Sequence, residues 1–290
     1  MGLPRSIFAV LVVFLSLSAT LFATQASCTF ETFTVPQQYT LSSVQGVADD
    51  GTVVGQVIDN KTLLPMGFMR SAAGTVNVFA APKSSTTWMY DQNATGTTAG
   101  SYLDNGPKAK VHGFTLKNGS NFGAVNYPGA PNTWVFGVNH LGALVGSYTS
   151  GINVKGFLLV NGQYTSIVSP GQQLTFPMAV NDNNAAVGYA ASGFVDYGFL
   201  WQNGKFTPIN SPKARYGTML TGINNSGVIV GNNVFADHNT GFIYQNGVFK
   251  SIVYSGGRFT LAGGINNNGV ISGQIYLNGN GTLGYTAVCK

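Results

Sequence analysis

Gly222-Ile223-Asn224-Asn225-Ser226-Gly227-Val228-Ile229-Val230-Gly231, followed ten residues on by Gly241-Phe242 and then by Asn246-Gly247, is the clearest of six versions of one pattern. The turn segments begin at Gly46, Asp91, Gly137, Ala179, Gly222 and Gly264, and in register with them stand Gly55, Gly100, Gly146, Gly188, Gly231 and Gly273. Gly-aromatic pairs follow at Gly67-Phe68, Gly113-Phe114, Gly156-Phe157, Gly198-Phe199, Gly241-Phe242 and Gly284-Tyr285. Successive starts are 42 to 46 residues apart. A period of that length suits a four-stranded propeller blade, is too long for a leucine-rich repeat, and in this glycine-rich composition is unlike a helical array. The expectation is an all-β, six-bladed β-propeller of four-stranded antiparallel blades.

Within the fifth repeat, residues 218–223 read as a first strand, 224–227 as a tight turn, 228–231 as a second strand, 241–245 as a third and 248–253 as a fourth. Asn and Gly tolerate left-handed backbone angles, so both Asn-Gly segments are turn signals, the second that of a type I′ hairpin. Five residues before each turn Asn stand Trp88, Trp134, Phe176, Met219 and Leu261, expected to pack between neighbouring blades. Fourth strands carry pairs such as Tyr164 and Ile167, Phe206 and Ile209, or Phe249 and Ile252, and Pro82, Pro128, Pro170 or Pro212 closes the outer strand, where a missing N–H is tolerated.

The sixth repeat stops at Lys290 without a fourth strand, and Phe30, Phe33 and Pro36 have the spacing of one. Segment 28–36 is therefore expected to close the ring from the N-terminal side. That alignment puts Cys28 and Cys289 where the missing hairpin turn would be. With two cysteines in the chain and an export signal, a Cys28–Cys289 disulfide is the expected state. A lipidated Cys28 competes with it: Ala26 and Ser27 suit lipidation, but Gln25 stands where an aliphatic residue is usual, and Cys289 would be orphaned.

Arg5, the apolar run 6–22 and the small residues around Thr24-Gln25-Ala26 read as a secretory signal covering residues 1–26, which leaves one domain over 27–290 and no membrane span after cleavage. The product is expected outside the cytoplasm: extracellular, or periplasmic or surface-bound in a Gram-negative host. Only 8% of residues are charged, against 39 glycines and 44% apolar residues in short alternating runs, which excludes disorder and fits a secreted, turn-rich β protein.

Units of the form Gly-Ile-Asn-Asn-x-Gly-x-Ile-x-Gly followed by Gly-Phe resemble the HAF-type extracellular repeats of bacterial secreted proteins, over essentially all of 28–290. The His-Ala-Phe of that family survives mainly as x-Gly-Phe, with a histidine at His112. The resemblance implies export and a propeller-like array and carries no single activity.

Function is expected on the end of the sheets that bears the longer loops. There stand Lys61, Lys83, Lys108, Lys110, Lys155, Lys213, Arg215 and Arg258, against Asp59, Asp104, Asp196 and Asp237. A face with that excess of cations attracts anions such as acidic polysaccharide or cell-surface glycan. Tyr127, Trp134, Tyr148, Tyr189, Tyr216 and Tyr254 lie near it and offer rings for stacking on sugars. The candidate binding set is Lys61, Lys108, Lys110, Lys155, Lys213, Arg215, Tyr216 and Arg258, for a non-catalytic binding or scaffold protein. The alternatives are a polysaccharide-active enzyme or a purely structural protein.

No catalytic set is assigned: Glu31 is the one glutamate, so paired carboxylates are scarce. A lyase would instead draw on His112, His238, Tyr216, Arg215 and Arg258. No cofactor and no metal are expected, since the three histidines lack zinc-like spacing and the Asp-Asn turns lack a closing glutamate. Nucleic acid is not expected as a partner despite a pI near 9.1, because the basic residues are scattered. The protein is expected to be a monomer. Sequons at Asn60, Asn93, Asn118, Asn224 and Asn280 matter only in a eukaryotic secretory host.

Overall fold

The computed structural model describes residues 24–279 and 281–290. The leader expected over 1–26 lies outside these apart from its last three residues, and so does the sequon at Asn280. The described residues form strands and no helix. Two short strands, β1 (Thr24–Gln25) and β2 (Cys28–Phe33), come first. Unit 1 is then β3 (Tyr39–Val47), β4 (Val53–Asp59), β5 (Pro65–Arg70) and β6 (Val76–Phe79). Unit 2 is β7 (Ser84–Gln92), β8 (Thr97–Asp104), β9 (Val111–Lys117) and β10 (Asn121–Val125). Unit 3 is β11 (Thr133–Val138), β12 (Leu144–Ser150), β13 (Asn153–Val160) and β14 (Gln163–Ile167). Unit 4 is β15 (Leu174–Val180), β16 (Ala186–Ser192), β17 (Val195–Gln202) and β18 (Lys205–Pro208). Unit 5 is β19 (Gly217–Ile223), β20 (Ile229–Val234), β21 (Asn239–Gln245) and β22 (Val248–Ser251). Unit 6 is β23 (Gly257–Ile265), β24 (Val270–Leu277) and β25 (Thr282–Cys289), with β2 as its fourth strand.

Every unit is antiparallel within itself. Units 1, 2 and 6 are separate four-stranded sheets, whereas units 3, 4 and 5 merge into one thirteen-stranded sheet. The merger rests on single parallel bridges, Val154↔Leu174 and Asp196↔Gly217, and β1, parallel to β22, adds the thirteenth strand. The first strands contact one another in a closed cycle, β3 to β7, β11, β15, β19, β23 and back to β3.

In five of the six units one asparagine makes the turn and the joint together. Asn224 Oδ1 accepts from Ser226 N and Val228 N inside its own turn, while its Nδ2 donates to Asn266 O of the next unit. The same forward bond runs from Asn93 to Asn139, Asn139 to Asn181, Asn181 to Asn224, and Asn266 to Ala48. These five amides are buried. Ala48, in unit 1, has no amide to pass on to Asn93.

A second set of bonds holds the opposite ends of the sheets. Buried Thr87, Thr133, Thr175, Thr218 and Thr260 each accept, on Oγ1, an N–H from the connection that enters their strand: Ala81, Tyr127, Ser169, Ser211 and Tyr254. Pro82, Pro128, Pro170 and Pro212 sit in these connections as the second residue of hydrogen-bonded turns, where a fixed φ is useful and no N–H is needed.

Along the axis the first strands carry bulges at Asp91, Gly137, Ala179, Gly222 and Gly264, and β3 is irregular around Gly46. A Cβ on Gly137 would lie 2.9 Å from Ala179 Cα, and one on Gly222 would lie 3.0 Å from Gly264 Cα. Backbones meet there, which accounts for the small residues. In the second strands the repeated glycine faces the aromatic of the third: a Cβ on Gly146 would lie 2.7 Å from Phe157 Cζ. Phe68, Phe114, Phe157, Phe242 and Tyr285 are fully buried in these positions, each contributing about 1.5–3 kcal/mol of burial.

Two expectations need correction. Trp88, Trp134, Phe176, Met219 and Leu261 are only half-buried. Phe176 still reaches Phe136 of the preceding unit, and Leu261 faces the cavity shared with unit 5, but the closest approach to the preceding unit is made by their neighbours Met89, Val135, Pro177, Leu220 and Ala262, which approach Gly67, Gly113, Gly156, Gly198 and Gly241. The closing strand ends at Phe33 rather than at 36, because Pro36 O accepts Tyr39 N and turns the chain into β3.

The closure itself is as expected. Cys28 and Cys289 are register partners joined by a disulfide across 261 residues, a crosslink for which chain entropy sets a ceiling of about 5 kcal/mol. Ala26, just upstream, is buried and donates its N–H to Ser251 O.

The ladder makes a direct prediction. Asn181→Ala should cost about 1–3 kcal/mol, since it strands buried backbone groups in two units, and Ala48→Asn should add about 1 kcal/mol by supplying the missing sixth bond. Urea unfolding of both variants measures this. An Asn181→Ala midpoint equal to that of the parent would remove the ladder from the account of stability.

Candidate functional site

Hydrogen bonds between loops define which ends lie together. Asn60 N to Gln38 O, Asn105 N to Lys83 O, Thr149 N to Asn132 O, Val154 N to Gln173 O and Asp196 N to Tyr216 O tie the loops after second strands to the connections between units. These form the long-loop end; the asparagine turns form the other.

All eight sequence-predicted residues, Lys61, Lys108, Lys110, Lys155, Lys213, Arg215, Tyr216 and Arg258, lie in or at the ends of these long-loop segments, but they do not converge. Lys61 belongs to unit 1, Lys108 and Lys110 to unit 2, and Lys155 to unit 3. Arg215 and Tyr216 lie in the connection to unit 5, both N–H groups bonded to Val234 O, and Lys213 Nζ donates to Ser251 Oγ. The aspartates of this end are committed locally. Asp59 is held below the usual carboxylate range by the N–H and hydroxyl of Thr62, and Asp104 by Gly106 N and His112. Half-buried Asp196 is pushed up by desolvation.

The lyase set is likewise dispersed. His112 spends both ring nitrogens on Asp104 and Asn126 in unit 2 and stacks on Tyr102, far along the ring from His238 in unit 5.

Arg258 and His238 share one neighbour, Phe259. Between units 5 and 6 the His238 ring is stacked with Phe235 at 4.7 Å and with Phe259 at 4.4 Å, and the Arg258 guanidinium lies 4.8 Å from the Phe259 centroid. His238 Nδ1 is 2.7 Å from Asp237 Oδ1, a contact that holds the Asp237 carboxyl below its usual range. The aromatic stack, with Leu261 and Tyr276, lines an open cavity of about 440 Å³ at the long-loop end. The cavity is aromatic on one wall, with the Arg258 cation beside that wall, a chemistry suited to an apolar ring face that carries a negative group. Sequence reasoning named His238 and Arg258 but not Phe235 or Phe259, since the stack joins two repeats and has no local motif.

A second cluster lies on the axis at the asparagine-turn end, where no function was expected. His140 sits 3.2 Å from Asp49 Oδ2 and 3.4 Å from Asp182 Oδ2. Asn225 and Asn267 extend the cluster through Asn225 Nδ2 to Asp182 and Asn267 Nδ2 to Asp49. Beneath it is Asp91, the one carboxylate among the small axial residues, accepting from Gln92 N and Val138 N. Burial pushes its carboxyl up to about 6, partly offset by those N–H groups and by His140. The two axial cavities here hold about 50 and 40 Å³, and Tyr90, Phe136 and Met178 close the inner one. That space admits water, not a sugar or a cofactor. Among the described residues no group of three acidic, His or Cys side chains is arranged to hold a metal ion.

No protein-family model and no curated protein matches the chain. Solved structures do resemble it. The β-propeller domain of the Trilobed protease from Pyrococcus furiosus aligns with a TM-score of 0.55 and 8% identity, covering 86% of this chain and 81% of that one. A putative gluconolactonase gives 0.56 and 11%, covering 92% and 94%. A catalytically inactive histidine-to-alanine variant of virginiamycin B lyase from Staphylococcus aureus, solved with quinupristin, gives 0.54 and 11%, covering 90% and 100%. The chain therefore has a β-propeller fold, one used by enzymes among others; at these identities the likeness is one of fold alone. Among the described residues no helix is long and apolar enough to cross a membrane.

Asp91 predicts a pH dependence. Its carboxyl is raised from near 3.9 when unfolded to about 6 when folded, so the folded state binds the extra proton between these values. Its contribution is fully present below about pH 4 and is lost as pH rises through about 6, a swing on the order of 3 kcal/mol. Asp91→Asn should therefore gain on the parent as pH climbs from about 4 to about 7 in thermal melts. Parallel curves would show that Asp91 does not titrate in this window.

Proposed function

We propose that the six units are the blades of an exported, monomeric propeller of HAF-repeat type, and that it is a binding protein whose ligand, an acidic carbohydrate, occupies the cavity between blades 5 and 6. The observation that carries this reading is the Phe235–His238–Phe259 stack with Arg258 beside it. Aromatic side chains lining a cavity give apolar contact to the C–H groups of a sugar ring, and a guanidinium pairs with a carboxylate in two parallel hydrogen bonds. A uronic acid offers both. The disulfide and the absence of a spanning helix among the described residues are compatible with export. The scattered lysines of the same end then act at longer range, raising the local concentration of a polyanion in a salt-dependent way.

Titration calorimetry with uronic-acid oligosaccharides tests this. Arg258→Ala should weaken binding of the acidic sugar roughly tenfold or more, while Phe259→Ala should remove binding of acidic and neutral forms alike. Affinity unchanged in both variants would exclude the cavity as the site.

One observation favours a second reading, catalysis at the same cavity. The 2.7 Å contact ties His238 Nδ1 to a carboxylate and leaves Nε2 as a proton acceptor, the arrangement of an oriented general base. The similar virginiamycin B lyase structure is of a form inactivated by replacing a histidine. If this chain is a lyase, uronic-acid polymers incubated with it should yield unsaturated, ultraviolet-absorbing ends, and His238→Ala should abolish them.

A further inference from the structure

The long-loop end carries apolar side chains that no packing explains. Phe194 is 96% exposed, Ile152 91% and Leu63 73%, with Leu64 and Val195 beside them. Each stands at the tip of a loop joining a second strand to a third, in units 4, 3 and 1. Leu63 is held there in a left-handed backbone conformation, φ 59°, that a branched aliphatic residue rarely adopts. Its loop is fastened by Asp59, which accepts from Lys61 N, Thr62 N and Thr62 Oγ1. The tip is presented, not merely frayed.

A cation stands next to every tip. Lys61 is two residues before Leu63, and Lys155 is three after Ile152. Arg215 lies beside the Phe194 hairpin, since Asp196 N bonds Tyr216 O. Unit 2, between the first and second of these tips, puts exposed Lys108 and Lys110 on its own loop. Among the described residues none of these five cations is within ion-pair distance of a carboxylate. At the opposite end Leu141 is comparably exposed, but its turn has no lysine or arginine.

Protruding apolar tips, each flanked by a cation, on one end of a disc-shaped fold match the interface of an anionic bilayer, with tips in the acyl boundary and lysines at the headgroups. A polysaccharide would need a recessed stacking surface instead, whereas these tips are 73% to 96% exposed. We propose that the arc formed by units 1 to 4 docks reversibly on anionic lipid. The inference does not use the cavity between units 5 and 6, whose lining residues belong to neither the tips nor the cations of this arc.

The mature chain is sedimented with vesicles of phosphatidylcholine alone or containing about one-quarter phosphatidylglycerol. Binding should require the anionic lipid, disappear in high salt, and fall roughly tenfold in Ile152→Ser/Phe194→Ser, whose changes lie at exposed tips and spare the core. In Phe194→Trp, emission from the introduced indole should shift to the blue on anionic vesicles. Phe259→Ala should bind vesicles like the parent, which separates this surface from the glycan cavity. Absence of binding at low salt would overturn the proposal. So would equal binding by the double serine variant, or capture by soluble dextran sulfate without capture by vesicles.

Discussion

A single amide side chain, used twice, is the constraint on which the architecture depends. In Asn181 the oxygen shapes the turn by accepting from Asn183 N and Ala185 N, and the nitrogen reaches the Asn224 carbonyl in the next unit. Local geometry and long-range assembly thus share one group, and neither can change without the other. The bond always points the same way around the ring, from each unit to the next and from unit 6 back to unit 1, so the array has a direction, like a head-to-tail ring folded from one polypeptide. The joint from unit 6 to unit 1 is the most heavily bonded: Asn266, Asn267, Asn268 and Ser272 all reach Ala48, Asp49 or Gln45. Closure is reinforced where the chain ends meet, and the thinnest joint of the ladder falls after Ala48.

That economy divides the two ends of the molecule. At the asparagine end, polar groups are consumed by the ladder and by the His140 cluster, and the axial space is too small for an organic ligand. At the long-loop end the threonine bonds anchor the connections from beneath, so loop tips and the His238 stack are free to vary without loosening the sheets. Rigid support below and chemical freedom above are what a recognition surface requires.

Much of this was legible in the residues because the signals are local. Asn246-Gly247 predicts a type I′ hairpin, and both residues have positive φ, at 51° and 83°. The spacing of Phe30 and Phe33 predicts the closing strand, and Cys28 and Cys289 face one another as that alignment requires. What was not legible is non-local or breaks a period. The ladder ends on backbone carbonyls one repeat away, which leave no mark in a sequence. The bulge at the small axial residues interrupts alternation, so side-chain size pointed inward for Trp88 and Trp134 when their neighbours Met89 and Val135 are the buried ones. His238 was visible only as a histidine near the right end, since Phe259, its stacking partner, lies across the boundary of the next repeat.

The ladder also bears on how this protein can be made. Asn93-Ala94-Thr95 and Asn224-Asn225-Ser226 are acceptor sequences for oligosaccharyltransferase, yet their side-chain nitrogens are the donors that bind units 2 to 3 and 5 to 6. Attachment of a glycan would replace one hydrogen of that amide with a bulky sugar at a site with no room for it, and would do so before the chain has folded. A yeast or mammalian secretory host would therefore mark the very atoms on which assembly relies, whereas a bacterial host leaves them intact.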